Sequence, residues 1–212
     1  EIPLHAGNHS IVASGGMALN YSFKYQNGNL WIEPIGNATI EVSSIENTYN
    51  GIKQEVAVIT SPSDIKFDII YSEEPINAGT YTAVATIIED GYIPVSKTVN
   101  ITIHKATLNV SVLNKTILLG DDKPIFEVLI DGFVNGETNA IIDQLPNADL
   151  SGTWPLEAGI YPIVLSGGED NNYLFEYRNG VLTVIQTYTI EAISNNYGQL
   201  SRSINGELKD TI

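Results

Sequence analysis

The sequence predicts an all-β fold: a tandem array of small antiparallel Ig-like β-sandwich modules. Three observations carry this prediction. Apolar and polar side chains alternate along short segments, turn residues separate these segments about every 8–12 residues, and the chain repeats itself. Alternation with a period of two is typical of a strand that buries one face, and many such strands in series are typical of a sandwich.

Alternating side chains mark the individual strands. Ile65, Phe67 and Ile69 fall on one face of an extended segment, and Lys66 and Asp68 fall on the other. Because successive side chains of a strand point to opposite faces, such a segment has one apolar face to bury. The same alternation runs through residues 80–87, 98–103 and 126–130.

Turn residues separate the strands. Asn27-Gly28 and Asn179-Gly180 each lie between alternating segments, and we predict tight hairpins there because Asn and Gly tolerate a positive φ. No stretch of helical length repeats its apolar residues with a period of 3.6. Only residues 133–137 are a candidate for a single helical turn.

Composition narrows the function classes. The formal net charge is −15, from 10 basic and 25 acidic residues, so the surface repels phosphate backbones and anionic lipid headgroups. We therefore expect no nucleic-acid partner and no membrane insertion by this segment. The chain has no Cys, which excludes disulfides and thiolate chemistry. No apolar run approaches the roughly 18 residues that a spanning helix needs.

Two segments of the chain are copies of each other, and a third copy lies between them. Residues 3–32 align with residues 155–184 without a gap and are identical at 16 of 30 positions. The Ala-Gly-x-Tyr motif at 78–81 matches the motif at 158–161 and the Ala-Gly pair at 6–7. The steps from 6 to 78 and from 78 to 158 are 72 and 80 residues, which sets the length of one module.

The repeats divide the chain into four parts. Residues 1–35 are the C-terminal half of one module, and residues 36–106 and 107–186 are two complete modules. Residues 187–212 are the start of a further module or a linker tail. Neighbouring modules of the same chain are therefore the first partners that we expect.

Four motifs in residues 107–186 also occur in a known family: Gly132-Phe133-Val134-Asn135-Gly136-Glu137-Thr138, Ala158-Gly159-Ile160-Tyr161, Ser166-Gly167-Gly168 and Asn172-Tyr173-Leu174-Phe175. Through them this segment resembles the MBG family, the mostly bacterial glycine-rich modules of large surface proteins. Residues 36–106 are similar to a sister type, and residues 3–34 look like the end of the same type. Leu119-Gly120-Asp121 departs from the family, which usually has Tyr-Gly-Asp at this turn.

The resemblance implies an extracellular scaffold of tandem sandwiches in adhesin-like proteins of bacteria, either secreted or anchored at the cell surface. It brings no catalytic residues. The residues themselves offer little for catalysis, since His5 and His9 would lie roughly 13 Å apart on a strand and His104 is the remaining histidine. We therefore predict a protein that is not an enzyme, with no catalytic and no cofactor-binding residues.

Acidic pairs in two predicted turns are weak candidates for calcium ligands. They are Asp121 with Asp122 and Glu169 with Asp170. Calcium takes six to eight oxygen ligands, and oxygen-rich turns supply them in many extracellular repeats. The alternative is that these acids are simply solvated turn residues, because acidic residues favour turns in any case.

Aromatic residues suggest two further roles. Trp31 is out of phase with Leu30 and Ile32, so its ring should face outward, where it is a weak candidate for stacking on a sugar ring. Tyr81 and Tyr161 each follow an Ala-Gly pair, and we predict tyrosine corners there, with the ring in the core and the hydroxyl bonded to nearby backbone.

These observations favour a structural role. We expect a repeat or stalk segment of a secreted or surface-anchored bacterial adhesin-like protein, which spaces a distal binding domain from the cell. The first alternative is that the modules themselves bind a polysaccharide or a host surface glycoprotein. The second is that they are accessory modules of a secreted carbohydrate-active enzyme.

Overall fold

A computed structural model of the chain describes residues 5–154, 156–188, 190–194, 200–204 and 207–211. These residues are strands and turns, apart from one short 3-10 helix at Asn139–Ile141. That helix begins two residues after the segment 133–137, where the sequence suggested a single turn. The all-β prediction is confirmed. The chain divides into two compact units, residues 1–106 and 107–212.

The first unit contains eight strands in its described part. Strands β1 and β2 form a two-stranded sheet, β3 and β5 form a second, and a four-stranded sheet has the order β4-β8-β7-β6. The strands are β1 (Gly7–Ile11), β2 (Gly28–Ile32), β3 (Thr39–Val42), β4 (Ile45–Thr48), β5 (Val58–Ser61), β6 (Phe67–Tyr71), β7 (Gly79–Ile87) and β8 (Ser96–His104).

The core of residues 36–106 lies between the β3-β5 sheet and the four-stranded sheet. Ile40 of β3 packs there with Ile65, Ala85 and Ile87, and each of these side chains is buried. Ile69, which the alternation places on the same face as Ile65, packs against this cluster. Burial of one such side chain contributes about 1.5–3 kcal/mol.

The second unit begins with a sandwich of two sheets. A three-stranded sheet has the order β11-β9-β14, and a four-stranded sheet has the order β10-β15-β13-β12. The strands are β9 (Ala106–Val112), β10 (Lys115–Leu118), β11 (Val128–Asp131), β12 (Gln144–Leu150), β13 (Gly159–Glu169), β14 (Tyr173–Arg178) and β15 (Gly180–Ile185). A three-stranded antiparallel meander follows, made of β16 (Ile190–Ser194), β17 (Leu200–Ile204) and β18 (Glu207–Thr211).

Both sheets of this sandwich contribute to one core. Val110 and Val112 come from β9 in the three-stranded sheet, and residues such as Ile163 of β13 and Leu182 of β15 come from the four-stranded sheet. All four side chains are buried. The core therefore joins the first strand of the module to its last strands, which lie more than fifty residues later in the chain.

One strand pair in each of these modules is parallel. Strand β4 runs parallel to β8, and β10 runs parallel to β15. The pairs β13-β15, β3-β5 and β7-β8, by contrast, are antiparallel. Alternating side chains look the same in parallel and antiparallel strands, so the sequence pattern could not reveal this pair. The assignment to the Ig-like class stays a prediction.

The predicted hairpins at Asn27-Gly28 and Asn179-Gly180 are wrong. At Asn179-Gly180 the chain passes from β14 in one sheet to β15 in the other, and neither residue has a positive φ. The Asn179 side chain instead accepts a hydrogen bond of 2.9 Å from the backbone amide of Leu165. The Asn-Gly pair at 179–180 therefore marks a crossing between the two sheets and not a hairpin within one of them.

Glycine is needed at this crossing for a steric reason. A Cβ atom on Gly180 would lie 2.9 Å from the carbonyl oxygen of Val112, a backbone atom that cannot move aside cheaply. The counterpart in residues 5–35 is Gly28, where the nearest atom, Cβ of Ile11, would be 3.8 Å away. The same motif is thus crowded in one copy and open in the other.

Replacing Gly180 by Ala should therefore destabilise the second unit by about 1–3 kcal/mol, the usual cost of overpacking. Calorimetry should show its unfolding midpoint at least about 4 °C lower. Gly28→Ala is the matched control and should change stability by no more than about 0.5 kcal/mol. Equal effects of the two substitutions would contradict this steric explanation.

Candidate functional sites

Two tyrosines form the same hydrogen bond at the start of a long strand. The hydroxyl of Tyr81 donates to the carbonyl oxygen of Asn77 at 2.9 Å, and that of Tyr161 donates to the carbonyl oxygen of Glu157 at 3.1 Å. The predicted tyrosine corners are thus confirmed in their hydrogen bonds. Both rings are only half-buried, however, whereas we expected them to lie in the core.

A histidine occupies the corner position in residues 5–35. Nε2 of His9 lies 2.6 Å from the carbonyl oxygen of His5, four residues earlier, as in the two tyrosine corners. Because a carbonyl oxygen can only accept, Nε2 carries the proton and donates. Nδ1 of His5 is 3.8 Å from an Asp90 carboxylate oxygen, which is beyond hydrogen-bonding distance. This histidine pair therefore serves the fold of the strand.

Within the part of the chain that the structure describes, no three or more His, Asp or Glu side chains are grouped so that they could hold a metal ion. The remaining histidine, His104, lies on an exposed strand end with its Nε2 atom 2.9 Å from a carboxylate oxygen of Glu46. Even a fully charged pair contributes at most about 1 kcal/mol at so exposed a position.

Asp121 and Asp122 lie in the turn after β10, and both are exposed. A carboxylate oxygen of Asp121 accepts a hydrogen bond of 2.9 Å from the backbone amide of Leu118, and the amide of Asp121 donates to the Leu118 carbonyl at 3.1 Å. This aspartate therefore closes its own turn. Its role in calcium binding stays a prediction.

Glu169 is the last residue of β13 and not a turn residue as predicted, and Asp170 lies in the turn between β13 and β14. One carboxylate oxygen of Asp170 accepts hydrogen bonds from the backbone amides of Asn172, at 2.7 Å, and Tyr173, at 3.0 Å. Glu169 is exposed. Asp170 thus bonds two backbone amides at the start of β14, a structural function that acidic turn residues often have. Calcium binding by this pair also stays a prediction.

Trp31 lies on β2 opposite Asn8 of β1, and 55% of its surface is exposed. The Trp31 side chain is thus exposed, as the sequence predicts. Two open depressions of about 420 and 500 Å³ lie in the second unit, where they share Leu113 and Asn114, and a third of about 430 Å³ lies at residues 17–19; Trp31 lines none of these three. Stacking of Trp31 on a sugar stays a prediction.

A buried amide network that the sequence analysis missed lies next to Tyr49-Asn50-Gly51. Gln54 is buried, and its side-chain oxygen accepts a hydrogen bond of 2.7 Å from Asn47. Its amide nitrogen donates to the side chain of Asn50 at 3.0 Å and to the carbonyl of Ile52 at 2.8 Å. Burying an amide is tolerated only when its hydrogen bonds are made, as they are here.

Tyr173 is the largest side chain that is fully buried in the described residues, and its hydroxyl forms two hydrogen bonds. It donates to a carboxylate oxygen of Glu137 at 2.5 Å and accepts from the backbone amide of Val134 at 3.0 Å. The ring of Phe133 packs against the Tyr173 ring edge-to-face, with 5.6 Å between the centroids. The first residue of β14 thereby holds the loop that follows β11.

Burial raises the pKa of Tyr173 to about 12, and the hydrogen bond to the Glu137 carboxylate adds to this rise. Both effects disfavour the phenolate, because a buried charge loses its hydration and would face a second negative charge. No local pattern predicts this pair, since its members are 36 residues apart. Both belong, however, to motifs that carry the family resemblance.

Hydrogen-bonded corners, capped turns and two buried cores define a class: an all-β protein of consecutive small modules whose polar groups mainly support the fold. Comparison with known families gives the particular family. Residues 38–107 match the MBG domain, and residues 108–183 match the MBG domain of the YGX type.

The chain therefore belongs to the MBG-domain proteins. MBG domains are found in bacterial surface proteins. No curated protein shows significant similarity to the chain. Among the described residues, no helix has the length and apolar character that crossing a membrane requires.

The raised pKa of Tyr173 predicts that the second unit weakens in alkali. The folded state holds the phenol proton more tightly than the unfolded state, so this contribution is complete below about pH 10 and is lost as the pH rises towards 12. Two pKa units correspond to about 2–3 kcal/mol.

Urea unfolding of the wild type and of Tyr173→Phe across this alkaline range measures the effect. The wild type should lose about 2–3 kcal/mol more than the variant, because phenylalanine does not titrate. Parallel pH profiles for the two proteins would contradict the assignment to Tyr173.

Proposed function

We propose that this chain is a structural repeat segment, a stalk that spaces a distal binding domain from the cell in a secreted or surface-anchored bacterial adhesin-like protein. The observation that carries the proposal is the succession of two MBG domains over residues 38–183. The buried core within each of them supports it. A module that buries its own core can be repeated without changing its neighbours, so reach scales with module number.

Charge supports the same role. With a net charge of −15, the surface repels other acidic surfaces and remains hydrated. High net charge of one sign limits nonspecific association, which suits a spacer that must not fold back on an acidic cell envelope. Neighbouring modules of the same chain are then the main partners of each module.

The state of the polar side chains supports a role without catalysis. A hydrogen bond from Lys123 at 2.7 Å, together with one from the backbone amide of Leu150, holds the pKa of Asp149 below its usual value. A general acid at neutral pH needs the opposite shift. The turn aspartates Asp121 and Asp170 already bond backbone amides.

Small-angle scattering on chains with added modules tests the stalk. A module whose longest strands have 9–11 residues is about 30–37 Å long. Each added copy of residues 107–186 should therefore lengthen the maximum dimension by about this amount. Growth with the cube root of mass, typical of a compact assembly, would contradict the proposal.

Binding of a polysaccharide or a host surface glycoprotein is the second candidate, and the exposure of Trp31 favours it. A glycan array probed with the wild type and with Trp31→Ala would measure it. Tyr188→Ala, which removes another exposed aromatic ring, is the control. Under this candidate Trp31→Ala alone loses binding, by about 1–3 kcal/mol or 5- to 150-fold. An array without signal for the wild type rules it out for the glycans tested.

A further inference from the structure

Residues 5–32 expose side chains whose counterparts in the second unit form the core. The segment is a copy of residues 157–184, displaced by 152 positions. The exposed fractions are 53%, 79% and 41% for Ile11, Tyr21 and Leu30, against 0%, 1% and 0% for Ile163, Tyr173 and Leu182. Several exposed large apolar side chains in one short segment are typical of an interaction site.

Three local features are the same in both copies, although only one copy is covered. Strand β1 pairs with β2 in the register Gly7↔Ile32, and β13 pairs with β15 in the equivalent register Gly159↔Val184. The rings of Phe23 and Tyr25 stack with their centroids 6.2 Å apart, and the equivalent pair in the second unit is 6.4 Å apart. In each copy this tyrosine hydroxyl bonds the backbone of the Ser-Gly-Gly segment. Residues 5–32 thus keep the strand register, the ring stacking and the tyrosine hydrogen bond of their counterparts.

The edges of the β1-β2 sheet are open where those of its counterpart are paired. In the second unit β15 is flanked by β10, and β13 is flanked by β12. The β1-β2 sheet has two strands. Residues 12–27 form no strand, whereas their counterparts lie in β13 and in β14, which pairs with β9. The pairing that residues 5–32 lack is the one that residues 107–150 give to the second copy.

Two contacts in the second unit indicate which strands residues 5–32 lack. Gly180 has to be glycine because of the Val112 carbonyl in β9, yet Gly28 keeps glycine with no atom closer than 3.8 Å to its virtual Cβ. The amide of Val181 donates to the side chain of Asn114 at 2.9 Å, a bond supplied by the same half of the module. The space beside Gly28 therefore fits a strand equivalent to β9.

We propose that the face formed by residues 5–32 binds the N-terminal half of a YGX-type MBG module, a strand set equivalent to residues 107–154. A strand equivalent to β10 adds parallel to β2, and one equivalent to β12 pairs antiparallel with residues 11–17, at the end of β1 and beyond it. A strand equivalent to β9 covers residues 21–26 and fills the space beside Gly28. This proposal does not depend on the proposed stalk function, because it concerns only which strands cover the exposed face of residues 5–32.

A second copy of the same face fits less well. It offers β1 and β2 again, so it brings no counterpart of β9 and no backbone carbonyl to lie against Gly28. Two chains of charge −15 also repel each other. The N-terminal half-module, by contrast, supplies both the strands that pair with the sheet edges and the apolar side chains that cover the exposed face, as residues 107–154 do in the second unit.

Extending the full chain tests the proposal. In the variant, a second copy of residues 107–154 directly precedes Pro3, as Trp154 precedes Pro155 in the second unit. Amide hydrogen exchange in residues 11–17 and 21–26 should slow at least about 100-fold, which corresponds to about 2.8 kcal/mol of opening free energy. Amides of residues 159–184 serve as the internal reference and should be unchanged.

The matched control is the same extension with Val110→Asp and Val112→Asp in the added copy, which should give no protection because the core face is then charged. A peptide of residues 107–154 added to the unextended chain is a second measurement and should protect the same amides in a saturable manner. Unchanged exchange in both experiments, or equal protection by the control, would overturn the proposal. So would an unextended chain that sediments as a dimer with these amides already protected.

Discussion

The structure depends on one constraint: each module closes its core only when strands from its two halves interleave. In the second unit the first strand, β9, lies between β11 and β14, and β15 lies between β10 and β13. Val112 and Leu182 meet in the core although seventy residues separate them. Neither half has enough partners for its own apolar face, so most of the hydrophobic stabilisation appears only when both are present.

The polar interactions follow from this closure. Glu137 reaches Tyr173 because β11 and β14 flank the same strand, and Asn114 reaches the amide of Val181 because β15 starts beside the end of β9. In each case a side chain from one half satisfies a group from the other. Buried polar groups must be bonded, so these contacts favour this arrangement over other ways of packing the same apolar strands.

The described modules use many of their polar residues for the fold. Corner tyrosines, turn aspartates and the Gln54 amide each bond backbone or neighbouring side chains. The net charge is strongly acidic, which is compatible with the spacer role proposed above. Completion of residues 5–32 by half of another module would extend the same principle to a further unit.

Local sequence determined many of the strands and the hydrogen bonds of the tyrosine corners, because alternation and the Ala-Gly-x-Tyr motif act within a few residues. Tertiary structure alone decided the rest. Asn179-Gly180 reads as a hairpin but crosses between sheets, since Val112 packs against it from a distant strand. Residues 163–178 contain strand while the similar residues 11–26 are mostly without it, because a strand needs a partner for its backbone groups and only one copy has that partner.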